Sequence, residues 1–185
     1  MMKTFSLPYT IKNNHGEQLT FKELVQEDDG TEKVLVEGLV APGCGPVLHA
    51  HLKQDEYLEV KHGKMGYELG GEPARFLTVG QGVLFPRGVV HRFWNAGEED
   101  LVVTGYVTPP NSFVFYLSTL YAAQAQSRTP QPEPFMGAYL ITRYRSEYDL
   151  PEIPGFVKNV IMPVTVFIGR LLGKYKHLEG APAPL

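Results

Sequence analysis

The stretch Gly43–Gly63, GCGPVLHAHLKQDEYLEVKHG, and the shorter Gly80–Asn95, GQGVLFPRGVVHRFWN, decide how this chain is read. Side chains on a strand alternate between its faces, so His49 and His51 point to one side and Ala50 to the other. Glu56 follows a short turn, Leu52–Asp55, at the start of the next strand, where it can face the same interior. His91 comes from a separate hairpin and reaches the others only if the sheet curls round on itself. Three imidazoles and one carboxylate from neighbouring strands make a pocket for one divalent transition metal per chain. Ligand type alone admits Fe, Mn, Ni, Co, Cu or Zn.

Working outward, residues 17–108 read as short strands separated by turns. EQLTFKELV and KVLVEGLV flank Asp29-Gly30, a hairpin signal, and KMGYEL and ARFLTV flank Gly70-Gly71-Glu72-Pro73. GVLFP, HRFWN and LVVTGYV follow. This spacing predicts an all-β barrel or sandwich. After Pro109-Pro110 the pattern changes to three helices: Asn111 to about Gln126, with Phe113, Leu117, Leu120 and Gln124 near one stripe; the run PFMGAYLITRYRSEY; and about Gly155–Gly173, kinked or broken at Pro163. The division is a β-barrel over residues 1–110 and a helical extension over 111–185. The extension is expected to cover the barrel or to pack on a second subunit.

The two opening stretches resemble the motifs of the cupin superfamily. The first motif is met by Gly43, His49, His51, Glu56 and Gly63. The second is met by Gly80, Pro86, Gly88, His91 and Asn95. Family members often carry Asp after the second-motif glycine, where this chain has Gln81, a turn position that supplies no ligand. The resemblance implies a small double-stranded β-helix (jelly-roll) barrel holding a metal through His49, His51, Glu56 and His91. Single-domain cupins with this ligand set, such as quercetin-dioxygenase-like proteins, imply an oxidoreductase, most simply a dioxygenase. Glu56 is the one ligand with a further acid–base role open to it.

Alternation places Phe93 and Asn95 inward with His91, and Leu58 and Val60 inward with Glu56. Met65, Tyr67 and Phe85 are further candidates for the pocket lining, and Trp94 points outward, under the tail helices or against a second subunit. Such a lining suits a small apolar or aromatic molecule. No acid–base group stands apart from the ligands, and His15, His62 and His177 read as surface residues. Two other functions stay open: non-redox metal chemistry such as isomerisation, and a metal-dependent module that binds or senses a small ligand without turnover.

The 185 residues are 43% hydrophobic and 20% charged with a net charge of −3, the balance of a folded domain without a basic footprint for nucleic acid. Cys44 is the single cysteine, so no intrachain disulfide forms. The N-terminal residues lack the apolar run of a signal peptide, which makes a cytoplasmic location the expectation. Val160–Gly169 is too short to span a bilayer, although Val160–Leu172 admits a role at a membrane surface. Exposed strand edges and apolar helices favour a homodimer.

Overall fold

A computed structural model describes residues 6–185. Ten strands come first: β1 (Tyr9–Lys12), β2 (Glu17–Gln26), β3 (Glu32–Val40), β4 (Ala50–His51), β5 (Asp55–His62), β6 (Lys64–Leu69), β7 (Arg75–Thr78), β8 (Gly82–Phe85), β9 (His91–Asn95) and β10 (Leu101–Thr108). The extension holds α1 (Phe113–Ala125), α2 (Pro134–Arg143), a short strand β11 (Tyr148–Asp149) and α3 (Met162–Leu171).

The larger sheet runs β1-β2-β3-β10-β5-β8, antiparallel throughout. Every second residue of β3 and β5 is buried, so Val34, Val36 and Val40 on one and Glu56, Leu58 and Val60 on the other face inward. Opposite lies a sheet of order β7-β6-β9, prolonged by a β-bridge between His49 and His91 to the β4–β11 pair. Phe21, Val60, Met65, Phe85, Leu101 and Val103 fill the space between the layers and are at most 1% exposed. Burying each such side chain contributes about 1.5–3 kcal/mol.

The strands do not hydrogen-bond into one closed ring, the closure that bringing His91 to the other ligands was expected to need. They form separate antiparallel sheets that face one another. The second layer is built of short strands, two residues long at β4, whose ladders end before they reach the larger sheet. Helix α1 lies across the resulting opening, with the Phe113 ring edge-on to Phe21 of β2 and close to His51.

The hairpins at Asp29-Gly30 and Gly70–Pro73 and the first helix occur where the sequence placed them. His91 lies in no hairpin, because β8 pairs with β5 and β9 with β6. Three elements differ. β1 was not foreseen. The second helix stops at Arg143, because Tyr148 and Asp149 leave it to pair with His51 and Ala50. The third helix absorbs Pro163 without breaking: a π turn over Val157–Ile161, in which Met162 N donates to Val157 O, runs straight into α3, and Pro163 falls where no N–H is needed. Trp94 does lie outward, but across Gly66 and edge-on to Phe76 on its own sheet.

One buried carboxylate ties the extension to the strands. Glu147 is 0% exposed, and its Oε2 accepts from Gln54 Nε2 at 2.8 Å, Ser112 Oγ at 2.9 Å and Ser112 N at 3.4 Å. Its backbone oxygen accepts from Leu52 N at 2.6 Å. Glu147 thereby fixes the turn between β4 and β5, the entry to α1 and the register of β11 beside His51. Glu147→Ala strands the buried donors of Gln54 and Ser112 and is expected to lower stability by about 3 kcal/mol in guanidinium unfolding. Glu147→Gln keeps an accepting oxygen and is expected to lose clearly less; equal losses would mean the network carries no such weight.

Candidate metal centre

Four elements deliver the donor atoms. His49 sits at the bridge to β9, His51 ends β4, Glu56 is the second residue of β5 and His91 opens β9. The bridge is a reciprocal pair of backbone bonds, His49 N to His91 O at 2.9 Å and His91 N to His49 O at 2.8 Å, and it sets the two imidazole centroids 4.4 Å apart. Gly88, in the left-handed region at φ 78°, turns the chain before β9 and donates its N–H to His51 O at 2.7 Å. The four side chains each bring one ligand atom into a group whose members lie within 4.8 Å of one another. Here the sequence reading and the geometry name the same four residues.

The hydrogen bonds behind the rings orient them. His49 Nδ1 faces Val47 O at 2.8 Å, and His91 Nδ1 faces Val89 O at 2.9 Å. A carbonyl only accepts, so each Nδ1 carries a hydrogen, and in the neutral ring Nε2 presents a lone pair. Those lone pairs converge: His49 Nε2 lies 3.1 Å from His51 Nε2, and His91 Nε2 lies 3.3 Å from Glu56 Oε2. An acceptor nitrogen facing a carboxylate oxygen needs a proton or a cation between them. His51 Nδ1 is buried with no hydrogen-bond partner, and its ring is held by Phe113 and by the edge contact with Tyr148. Phe85 stacks on His91 from behind, 4.5 Å between centroids and 15° between planes.

Electrostatics favour the same occupant. Burial pushes His49 down to about 3, helped by the neighbouring His51 and His91. Burial likewise holds His51 at about 4, against the pull of Glu56. Burial would raise the Glu56 carboxyl, but the bond to His91 and the surrounding imidazoles outweigh it and hold it at about 2. At neutral pH the donor set therefore presents neutral imidazoles His49 and His51 and an anionic carboxylate, which fits a divalent transition ion.

The site opens into a cavity of about 840 Å³ between the strands and the extension. Of the residues the sequence proposed as pocket lining, Leu58 and Phe93 face this cavity. Val60, Met65, Tyr67 and Phe85 are buried in the core between the sheets. Asn95 is taken up by structure: its Nδ2 donates to Val40 O and Glu99 O, and its Oδ1 accepts from Gly97 N. The α1 stripe Phe113, Leu117, Leu120 and Gln124 lines the opposite wall, together with Tyr116, Tyr121 and Tyr148. The α1 periodicity carried that signal; nothing local in the sequence shows that β11 would bring Tyr148 beside His51.

A polar corner of the cavity was not read from the sequence. His15 lines it and is not a free surface residue; its Nε2 is buried without a hydrogen-bond partner. Glu17 lies beside it, raised by burial against the opposing bond from Asn13 Nδ2 at 2.7 Å and the nearby His15. Asn13 Nδ2 also reaches Gln124 Oε1 at 3.1 Å. The Tyr121 hydroxyl is raised well above its ordinary value by burial and by Glu17 and Glu56.

Residues 36–107 match the family model of the cupin domain, and this segment fits the cupin superfamily. Two curated proteins are similar to part of it. Oxidoreductase iacF of Pestalotiopsis fici is 36% identical over 100 residues, covering 49% of this chain and 49% of that protein. Probable oxidoreductase virH of Hypocrea virens is 38% identical over 96 residues, covering 47% of this chain and 43% of that one. The matched segment thus spans about half the length of these relatives or less. Among solved structures, KdgF from a Halomonas species is 22% identical with a TM-score of 0.44, over 51% of this chain and 79% of that chain. An uncharacterised protein with a double-stranded β-helix domain from Klebsiella pneumoniae is 22% identical with a TM-score of 0.47, over 60% and 93%.

Purified without chelators, the protein is expected to carry roughly one transition-metal ion per chain by elemental mass spectrometry, and Glu56→Gln and His51→Ala to lose most of it while keeping their far-ultraviolet circular dichroism. Full metal content in both variants would remove these residues from the ligand set. The metal-free protein should also be acid-sensitive. His49 and His51 take up protons in the unfolded chain near pH 6.5 but in the folded chain only near 3 and 4. Below about 6.5 the unfolded state binds more protons, so stability falls as the pH drops. Between pH 7.5 and 5.5 the pair should cost about 3 kcal/mol. An unchanged denaturation midpoint over that interval would mean both rings are solvated.

Proposed function

We propose that the chain is a metal-dependent oxidoreductase of dioxygenase type acting on a small, largely apolar or aromatic molecule. The observation that carries this reading is the opening of the His49, His51 and Glu56 donor cluster into a cavity whose walls are mostly apolar. The names of the two partial relatives, both oxidoreductases, support it. His49, His51, Glu56 and His91 would hold the ion, which supplies Lewis acidity and, if redox-active, a route for electrons when bound.

The rest of the work falls to the chain. The carbonyls of Val47 and Val89 keep the hydrogen on Nδ1 of His49 and His91, leaving Nε2 free for the ion. Leu58, Phe93 and Val103 exclude water beside the ligands, and Phe113 and Tyr116 add aromatic surface to the cavity wall. A cytoplasmic site of action, the absence of a nucleic-acid partner and self-association through a sheet edge go with this reading as proposals.

The polar corner favours a second reading, non-redox proton transfer, because Glu17, His15 and Tyr121 give the same cavity an acid–base group apart from the ligands. Oxygen uptake separates the two. With the protein loaded in turn with Fe, Mn, Ni and Cu and offered a panel of phenols and catechols, uptake should be measurable. Heavy oxygen supplied as labelled dioxygen should then appear in the product, and Glu56→Gln should abolish both. Solvent deuterium entering the recovered compound without oxygen uptake would transfer the site to the second reading, with loss in Glu17→Gln as its mark.

A further inference from the structure

The outer face of the last helix is apolar where a surface helix is ordinarily polar. Val160, Val164, Phe167, Ile168, Leu171 and Leu172 are 43–73% exposed. Their spacing, i, i+4, i+7, i+8, i+11 and i+12, puts them on one side. The opposite side is satisfied: Val166 and Gly169 are buried, and Met162 and Thr165 line the cavity. Residues 153–178 carry Lys158, Arg170, Lys174 and Lys176 and no Asp or Glu, in a chain of net charge −3. Lys158 is paired with Asp149 at 2.7 Å. Arg170, Lys174 and Lys176 are exposed and take part in no ion pair among the described residues.

An apolar face bordered by cations that join no ion pair, with Lys174 Nζ over the Phe135 ring at 5.4 Å, selects its cover by charge. A second copy placed across a two-fold axis would bring the same cations against themselves, which opposes association. An anionic bilayer supplies both what the apolar face lacks and what the cations lack. We propose that this helix docks the protein in the plane of an anionic lipid surface. Phe167, Ile168, Leu171 and Leu172 enter the boundary between headgroups and acyl chains, and Arg170, Lys174 and Lys176 meet the phosphates. No helix among the described residues is long and apolar enough to cross a membrane, so docking is in-plane. Ile161 is 47% exposed and also lines the cavity, so it marks a rim of the cavity beside the docking face. An apolar compound dissolved in the bilayer then reaches the cavity without crossing bulk water.

The test is sedimentation with vesicles of phosphatidylcholine alone and of phosphatidylcholine containing roughly 30% phosphatidylserine. The anionic vesicles should bind the protein at least about tenfold more strongly, with the difference shrinking at high salt. Two variants each lose about tenfold: Phe167→Ser with Leu171→Ser, and Arg170→Gln with Lys174→Gln and Lys176→Gln. All five side chains are exposed, and circular dichroism checks that each variant folds. Equal binding to both vesicle types, no binding, or undiminished binding by the charge variant overturns the proposal. So does a lipid-free dimer, seen by sedimentation equilibrium, that the Phe167 and Leu171 substitutions dissociate, since that outcome gives the face to a second copy. The readout requires no metal and no turnover.

Discussion

Two backbone hydrogen bonds between His49 and His91 join the two parts of the second sheet, and much of the molecule is arranged around that join. On one side of it lie β6, β7 and β9, on the other β4 and β11. Because the bonds are reciprocal, they fix both strands in register and set two imidazoles side by side. His51 follows by alternation, and Glu56 meets His91 from the facing sheet at 3.3 Å. Displacing the register by one residue would turn both imidazoles of the first motif away from the cavity, so ligand geometry and sheet geometry are the same constraint.

The extension completes this arrangement from the far side. Tyr148, delivered by β11, and Phe113, at the start of α1, hold the His51 ring in place of a hydrogen bond at its buried Nδ1. Glu147 joins those two elements through Ser112 and reaches Gln54 beyond β4. A buried carboxylate satisfied by neutral donors is costly to assemble and more costly to leave half-paired, which ties the seating of the helices to the shape of the ligand cluster. The same helices make the cavity wall, so the volume available to a ligand depends on how the extension packs.

The charges of the molecule are separated by function. Buried groups at the centre are kept in the states a cation needs, neutral at His49 and His51 and anionic at Glu56, at the expense of acid stability. Several surface acids and bases elsewhere pair locally, as with Arg87 and Asp55 or Arg92 and Glu68. Along the last helix Arg170, Lys174 and Lys176 lie beside exposed apolar surface and join no ion pair among the described residues.

By itself the sequence determined the strands between residues 17 and 108, most of their bounds and the four convergent side chains, because alternation and fixed motif spacing are local rules that survive folding. The stripe Phe113, Leu117, Leu120 and Gln124 was equally legible, since helical periodicity names a face even when its partner is unknown. Tertiary structure decided the rest. Which inward residues touch a ligand and which fill the core depends on where the two sheets separate, so Leu58 reaches the cavity and Val60, two residues on, does not. The departure of Tyr148–Asp149 from a helical pattern follows from pairing with His51 and Ala50, nearly a hundred residues away in the chain. His15 and Glu17 became cavity residues because α1 folds over them, a long-range packing event that no local pattern of polar residues encodes.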